Sequence, residues 1–287
     1  MSSENSHAGH PFHPLMSLVS LVILFSLLAL GVLYALGKMD HIDYLDKASM
    51  EHASIRTIQV ELLVQHIMLF IIPGALTIFI FPLLRPKGTF SLGQVDWERV
   101  GLVSLLFVVG LPIVGILSWV NMQIPLSGNM EAMESQVNEA IKTLLGSGNI
   151  PMVVFIMGLI PAIGEELVFR GVIQKSLENW TNRPHLSILL AGAIFSLIHF
   201  QFAGFLPRMF LGMLLGYAYY YSGSILVPMV LHFLFNATQA VAMVVYPEML
   251  DELGKTGDVE MPSWWAGLLA VLAFGYIFSL LLKRESP

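Results

Sequence analysis

The chain has no cysteine among its 287 residues. This absence excludes disulfide bonds, thiolate metal ligands and a cysteine nucleophile. Charged residues are also scarce: they make up 12% of the sequence, whereas soluble domains contain about 25%. The net charge is −6, so the composition does not indicate a nucleic acid as partner. Hydrophobic residues make up 56% of the chain and are concentrated in long runs, which is the distribution that a bilayer imposes.

These runs predict an all-α, polytopic membrane protein that forms a single membrane domain over residues 1–287. The first run, residues 15–36, carries no charge and would be about 33 Å long as a helix, enough to cross a bilayer. It is too long for the core of a signal peptide, so we expect a retained transmembrane helix. About eight transmembrane helices are predicted, at residues 15–36, 62–84, 101–120, 150–177, 186–202, 208–221, 225–246 and 264–282.

Lys and Arg residues are distributed slightly unevenly between the two faces of the predicted bundle. With eight spans, both termini lie on one face, which has seven of the 14 Lys and Arg residues. The opposite face has six, and Arg170 lies within a span. Because cytoplasmic loops are enriched in Lys and Arg, the termini are predicted to be cytoplasmic.

Residues 129–145, between the third and fourth spans, have the pattern of an amphipathic helix outside the membrane. Its apolar face consists of Met130, Met133, Val137, Ile141 and Leu144. Its polar face consists of Glu131, Glu134, Asn138, Glu139 and Lys142. Because the polar face is acidic, attraction to anionic lipid is not expected. We expect either a surface helix docked on the bundle or a movable lid over a cavity.

The fourth predicted span contains Glu165, Glu166 and Arg170. An ionisable group at membrane depth costs about 2.5 kcal/mol or more on insertion scales, and such groups are usually paired or functional. Glu166 and Arg170 have the spacing of a helical ion pair. Glu165 points about 100° away from Glu166 and has no partner on its own helix, which makes it a candidate general base or acid. Pro161 and Gly164 weaken the helix just before it and can make room for water.

Polar residues at comparable depth occur in two other spans. Phe195 and His199 form an FxxxH motif, and His232 and Asn236 form an HxxxN motif. A single histidine in an apolar helix is usually a core residue, and a His–Asn pair often joins helices. However, His232 and Asn236 share one helical face and are suitable donors to a developing oxyanion. The presence of all these motifs at compatible depth predicts that they meet in one buried polar cavity.

In combination, the motifs resemble the signature of the CPBP (CAAX protease and bacteriocin-processing) family, which includes the type II CAAX prenyl endopeptidases. That signature is EExxxR, FxxxH and HxxxN, and its order and spacing match the motifs at Glu165–Arg170, Phe195–His199 and His232–Asn236. The resemblance implies an eight-helix fold around a water-filled cavity, with a catalytic core at residues 150–246. It also implies a bacterial or archaeal cytoplasmic membrane as the location.

The resemblance further implies a membrane endopeptidase that acts on a membrane-anchored protein or peptide substrate, with or without a prenyl group. By this resemblance Glu165 and His199 activate a water molecule, and His232 and Asn236 form the oxyanion hole. The other motif residues support the site or position the substrate: Glu166, Arg170 and Phe195. A cofactor is not expected.

Other protease chemistries are less well supported by the residues. The HExxH motif of many zinc proteases is absent, every aspartate lies in a predicted loop, and no glycine-flanked nucleophilic serine is evident. Glu165, His199 and His232 are nevertheless suitable types for a three-ligand zinc site, so a zinc-dependent membrane metalloprotease is the second interpretation. Asn236 beside His232 favours an oxyanion hole over a ligand set.

Two further interpretations involve no hydrolysis. Some members of the family are linked to bacteriocin immunity, so the chain can also be interpreted as a non-catalytic membrane partner or immunity protein. A proton-coupled transporter would use membrane glutamates and histidines as a relay, but would be expected to have two related halves. No internal repeat is visible in this sequence.

Overall fold

The computed structural model describes residues 12–40, 55–84, 89–93, 95–251 and 263–283, and this part of the chain is predominantly helical. The main helices, α1 to α9 in chain order, are His13–Asp40, Ile55–Ile80, Trp97–Met122, Gly128–Leu145, Ile150–Thr181, Pro184–Leu197, Phe205–Ser222, Leu226–Val245 and Trp264–Lys283. The predicted all-α polytopic membrane fold is confirmed. Five Lys and Arg residues that contribute to the predicted orientation lie outside the described residues: Lys47, Arg85, Lys87, Lys255 and Arg284.

In the part of the chain that the structure describes, six helices are long and apolar enough to cross a membrane: α1, α2, α3, α5, α8 and α9. The helix α6 is apolar but has only 14 residues. The helix α7 has 18 residues, but it contains Arg208 and four tyrosines, which lower its hydropathy. The total of eight spans therefore remains a prediction for these two helices.

Local chemistry explains where several helices begin and end. The Asp96 carboxylate accepts hydrogen bonds from the first turn of α3, and the Asn149 side chain does the same for α5, as N-cap residues do. Asn182 adopts a left-handed conformation with φ 53° at the end of α5, and Pro184 then begins α6. Gly223, with φ 67°, ends α7, a conformation that glycine adopts without steric cost.

The helix α5 is the central element of the bundle. Of the 18 consecutive residues that are most apolar in α5, 61% are buried. In the corresponding stretches of the other five candidate spans, 11% to 22% of the residues are buried. It also contains two π-helical segments, Val154–Leu159 and Leu167–Gln174, on either side of a short α-helical stretch. Such segments are frequent at functional sites because they displace the backbone from the regular ladder. Glu165 and Glu166 lie in the stretch between them.

Glycines permit two pairs of helices to approach closely. A Cβ atom at Gly212 would lie 3.1 Å from the Cα atom of Gly192, so the backbones of α7 and α6 are nearly in contact. This agrees with the close packing expected of the GxxxG motif formed with Gly216. A Cβ atom at Gly164 of α5 would lie 3.0 Å from side-chain atoms of Phe70 and Ile71 on α2. The second close approach brings α2 to the part of α5 that carries the two glutamates.

The helix α4 does not present its whole polar face to solvent. Glu134 and Asn138 are buried, with exposed fractions of 6% and 7%, whereas two residues assigned to its apolar face are exposed, Met130 and Met133. Glu134 Oε2 accepts a hydrogen bond from the Ala203 backbone N–H (2.9 Å), and Gln201 Nε2 donates to Asn138 Oδ1 (3.2 Å). The predicted division of α4 into a buried apolar face and an exposed polar face is therefore wrong at these four residues. The backbone of the α6–α7 loop needs acceptors, and α4 supplies one.

Candidate active site

Three histidines from three different helical regions surround the carboxylate of Glu165. His66 on α2 faces Oε1, with its Nε2 atom 3.7 Å away. His199, just after α6, and His232, on α8, face Oε2, with Nε2–Oε2 distances of 3.9 Å and 3.8 Å. Glu165 is 5% exposed. The sequence-based expectation that Glu165, His199 and His232 meet in a buried site agrees with this geometry.

The other ring nitrogen of each histidine is held by a hydrogen-bond acceptor. Nδ1 lies 2.9 Å from the Leu62 carbonyl oxygen in His66, 2.6 Å from the Phe195 carbonyl oxygen in His199, and 2.8 Å from Glu166 Oε1 in His232. Carbonyl and carboxylate oxygens only accept hydrogen bonds, so in each ring Nδ1 carries the proton of that bond. The Nε2 atoms, which face Glu165, are therefore the nitrogens available for proton exchange or for contact with water.

Glu166 connects two cationic or potentially cationic side chains. The predicted ion pair with Arg170 is present: Arg170 Nε lies 3.0 Å from Glu166 Oε2, and both side chains are almost completely buried. Arg170 Nη2 also donates to the Gly212 carbonyl oxygen (2.6 Å) on α7. Because the second oxygen of Glu166 accepts from His232, Glu166 orients a histidine of the site in addition to its role in the ion pair.

The ring of Phe195 packs against both Arg170 and two of the histidines. It is 2% exposed, and its ring centroid lies 4.8 Å from that of His199 and 6.0 Å from that of His232. The guanidinium carbon of Arg170 lies 5.4 Å from the same centroid, within the range of a cation–π contact. Phe195 thus restricts the positions of two site histidines by packing.

Asn236 lies on α8 one turn after His232. Its Nδ2 atom donates to the Met157 carbonyl oxygen of α5 (3.2 Å). Pro161 has no N–H and so cannot donate the α-helical hydrogen bond that this carbonyl would otherwise receive. The side-chain amide has a second N–H, which remains available to a bound group.

His199 lies beyond the end of α6. The predicted span at residues 186–202 is too long, because the helix ends at Leu197 and Phe200 adopts φ 53°. The chain is redirected here because Gln201 is fixed by two hydrogen bonds from Arg208 of α7, each 2.9 Å long. The side chain of His199 is 26% exposed, the most accessible of the three imidazoles.

His66 is the residue of this site that sequence reasoning does not identify. It interrupts an apolar predicted span, and an ionisable group at that depth is by default a functional candidate. It belongs to none of the three motifs, and its contact with Glu165 spans almost 100 residues of sequence. Its position within an apolar segment was the only signal of its role.

The donor types at this site are compatible with zinc, but their spacing is not that of a closed metal site. Ligand atoms of a tetrahedral zinc ion with bonds of about 2.0 Å are about 3.3 Å apart, whereas the histidine Nε2 atoms lie 3.7 to 3.9 Å from the Glu165 oxygens. Within the described ranges, no group of three or more His, Asp and Glu side chains has metal-binding geometry. A zinc site would require the side chains to move.

Comparison with known proteins identifies the segment that contains the residues of the three motifs. Residues 147–238 match the family described as type II CAAX prenyl endopeptidase Rce1-like. The chain is also 33% identical over 103 residues to "Uncharacterized protein YpbD" of Bacillus subtilis (strain 168), which corresponds to 34% of this chain and 49% of that protein. The matched region thus spans about half the length of this relative. No solved structure matches the chain. The three motifs predict a resemblance to the CPBP family and its type II CAAX prenyl endopeptidases. This resemblance is confirmed for the matched segment. The chain is an integral membrane protein.

Proposed function

We propose that the chain is an intramembrane endopeptidase that hydrolyses peptide bonds of membrane-associated substrates without a covalent intermediate. The observation that carries this proposal is the arrangement around Glu165 Oε2, which faces the Nε2 atoms of both His199 and His232 at 3.8 to 3.9 Å. These separations exceed a direct hydrogen bond, so a water molecule can approach the carboxylate and a ring nitrogen together. The match to the CAAX protease family supports a hydrolytic role.

In the proposed reaction, Glu165 and His199 act on the same water molecule. Water donates one hydrogen bond to Glu165 Oε2 and another to the unprotonated Nε2 of His199. As the water oxygen bonds to the scissile carbonyl carbon, its proton passes to Glu165, which is general base catalysis. The same proton then passes to the amide nitrogen as the C–N bond breaks, so the products are a carboxylic acid and an amine.

His232 and Asn236 act on the carbonyl oxygen in this proposal. When both of its ring nitrogens carry protons, His232 donates from Nε2, while the second amide N–H of Asn236 donates from one turn further along α8. Preorganised donors of this kind stabilise the tetrahedral oxyanion more strongly than the substrate carbonyl. Glu166 supports the arrangement because it holds His232 Nδ1 at 2.8 Å. Arg170 and Phe195 hold Glu166 and the histidine rings in place.

A zinc-dependent protease is the second candidate, favoured by one observation. The imidazoles of His199 and His232 both direct Nε2 towards Glu165, with Nδ1 held by a carbonyl or carboxylate oxygen. Outer hydrogen bonds of this kind are typical of histidines that bind metals. The zinc content of the purified protein separates this candidate from the metal-free proposal.

The test of hydrolysis compares membranes from cells that express the wild-type chain or the Glu165→Gln variant. Both samples are analysed for new peptide termini of membrane proteins by mass spectrometry, and the variant is also used to trap bound substrates. We expect a set of termini that depends on Glu165. The matched control is Glu178→Gln, which changes a glutamate of the same helix that pairs with Lys175 at 3.1 Å. If Glu165→Gln and the wild type yield the same termini and the same biological effect, a non-catalytic membrane partner becomes the better interpretation.

A further inference from the structure

His66 contacts the oxygen of Glu165 that the two motif histidines do not. Its Nε2 atom lies 3.7 Å from Oε1, whereas His199 and His232 face Oε2. The side chains of His66 and Glu165 are 17% and 7% exposed, so the contact is largely shielded. The carboxylate is therefore approached on both oxygens, and the reaction proposed above uses only one of them.

The ring of His66 is fixed by its own helix. Nδ1 lies 2.9 Å from the Leu62 carbonyl oxygen, and the ring stacks on Phe70, with centroids 5.6 Å apart and an interplanar angle of 26°. A π-helical segment, Ile67–Ile71, begins at the next residue. This ring has little freedom to turn away from Glu165.

Close packing between α2 and α5 fixes the distance between the two side chains. Gly164 precedes Glu165, and a Cβ atom there would lie 3.0 Å from side-chain atoms of both Phe70 and Ile71. A Cβ atom at Gly74 of α2 would lie 3.1 to 3.3 Å from Leu167 and Val168 of α5. Only small residues at these positions allow the backbones this approach. Both glycines thus contribute to the position of His66 against Glu165.

We propose that His66, with protons on both ring nitrogens, is a positioning residue of the hydrolytic site. Its Nε2 lies within ion-pair distance of Oε1 of Glu165 and keeps Oε2 directed at the water beside His199. This inference rests on the proposed function. A carboxylate that is held on one side only can rotate about its terminal bond, where rotamer preferences are broad. Displacement of a reacting group by about 1 Å can reduce turnover on the order of 10²-fold. His66 would thus contribute to catalysis through Glu165 without contact with the substrate.

The activity test uses full-length protein in liposomes and internally quenched peptides anchored to the bilayer by a farnesyl or an acyl chain. His66→Phe keeps the ring against Phe70 but removes Nε2, so we expect kcat to fall on the order of 10²-fold while KM is unchanged. His66→Gln restores a polar group and should recover part of the loss. His185→Phe is the matched control, because His185 lies against Tyr217, and it should retain wild-type kcat. Wild-type kcat in His66→Phe, or a change in KM alone, would overturn the proposal.

A second measurement does not require turnover. In protein with ¹⁵N-labelled histidine, the His66 signals are assigned by their loss in His66→Phe. We expect Glu165→Gln to shift the His66 Nε2 signal, and Glu178→Gln to leave it unchanged. An unchanged His66 signal in Glu165→Gln would overturn the contact itself. If the wild type cleaves none of the peptides while the His66 signal responds to Glu165, the contact is supported and the proposed function is the part that fails.

Discussion

Glu165 and Glu166 are adjacent in the chain but have different partners. Glu165 faces three imidazole Nε2 atoms at 3.7 to 3.9 Å, and the two on its Oε2 side leave room for a reacting molecule. Glu166 makes two short contacts, 3.0 Å to Arg170 and 2.8 Å to His232, and is fully buried. One carboxylate is therefore suited to exchange protons, while the other is held by its neighbours.

Substitution of each glutamate by glutamine tests this division of roles. Glu165→Gln keeps the size of the side chain but removes the base, so hydrolysis should be abolished while the melting temperature in detergent changes little. Glu166→Gln leaves Arg170 as an uncompensated buried charge, and breaking a buried pair costs about 3–5 kcal/mol. It should melt early, and its activity per folded molecule should also fall, because the glutamine has one acceptor oxygen in place of the two that serve Arg170 and His232, and a neutral amide accepts more weakly than a carboxylate. Thermal unfolding and specific activity are measured for both variants.

Two results would contradict the assignment. An unstable Glu165→Gln together with a stable, inactive Glu166→Gln would reverse the two roles. Full activity in both variants would exclude catalysis by either carboxylate. The loss of activity per folded molecule in Glu166→Gln is an expectation from the structure alone, since the sequence spacing identifies the ion pair with Arg170 but not the contact with His232.

Asn236 provides a second prediction at the scale of single residues. If its free N–H stabilises the oxyanion, Asn236→Ala should lose about 10²–10³ in turnover with little change in substrate binding. The variant also loses the bond to the Met157 carbonyl oxygen, so its thermal unfolding is measured as a control. Loss of binding with preserved turnover would instead assign Asn236 to holding the substrate.

At the scale of elements, the short helix α6 and the loop after it determine where His199 lies. The 14 residues of α6 span about 21 Å and end two positions before His199, and the positions from Glu165 to the end of α5 span about 24 Å. Because the two helices are joined by a short turn, these lengths bring both residues to similar depth. Irregular backbone at such depth is tolerated only where it is buried in protein or faces a water-filled cavity.

The contact of α4 with this loop leads to a prediction about the same element. Glu134→Ala removes the acceptor of the buried Ala203 N–H, and an unsatisfied buried donor costs about 1–3 kcal/mol. Hydrogen exchange at residues 200–204 should accelerate, and turnover should fall because His199 lies at the start of the loop. The matched control is Glu139→Ala, which changes an exposed glutamate of α4. Unchanged exchange in Glu134→Ala would show that α4 does not hold the loop.

The elements that sequence could predict are those specified by local pattern. Long apolar runs indicate the membrane helices, and the four-residue spacing of Glu166 and Arg170 indicates their pair. The positions of His66 and Glu134 depend on contacts between segments distant in sequence, so no periodicity specifies them. The end of α6 is likewise set by the hydrogen bonds of Arg208 to Gln201. In the sequence the hydrophobic run continues from residue 186 to residue 202, so it does not indicate where the helix ends.

For the whole molecule, metal content distinguishes the two proposed chemistries. The metal-free mechanism predicts that purified protein contains substoichiometric zinc and keeps its activity after treatment with a chelator and dialysis. The measurement is elemental analysis of the wild type and of the His199→Ala and His232→Ala variants, alongside peptide cleavage. Stoichiometric zinc that is lost in either variant would favour the zinc-dependent protease, in which Glu165, His199 and His232 are ligands.

The orientation of the whole chain in the membrane is the last prediction. Because α6 and α7 form an adjacent pair, the termini lie on the same face whether both helices cross the bilayer or neither does. The Lys and Arg distribution predicts that this face is cytoplasmic. Since the chain has no cysteine, single cysteines can be introduced at exposed serines: Ser91, after α2; Ser135, on α4; and Ser263, before α9. In intact cells a membrane-impermeant thiol reagent should label Ser135→Cys and Ser263→Cys, but Ser91→Cys only after permeabilisation. The reverse pattern would place the termini outside, and labelling of Ser135→Cys and Ser263→Cys from different sides would contradict the number of spans between them.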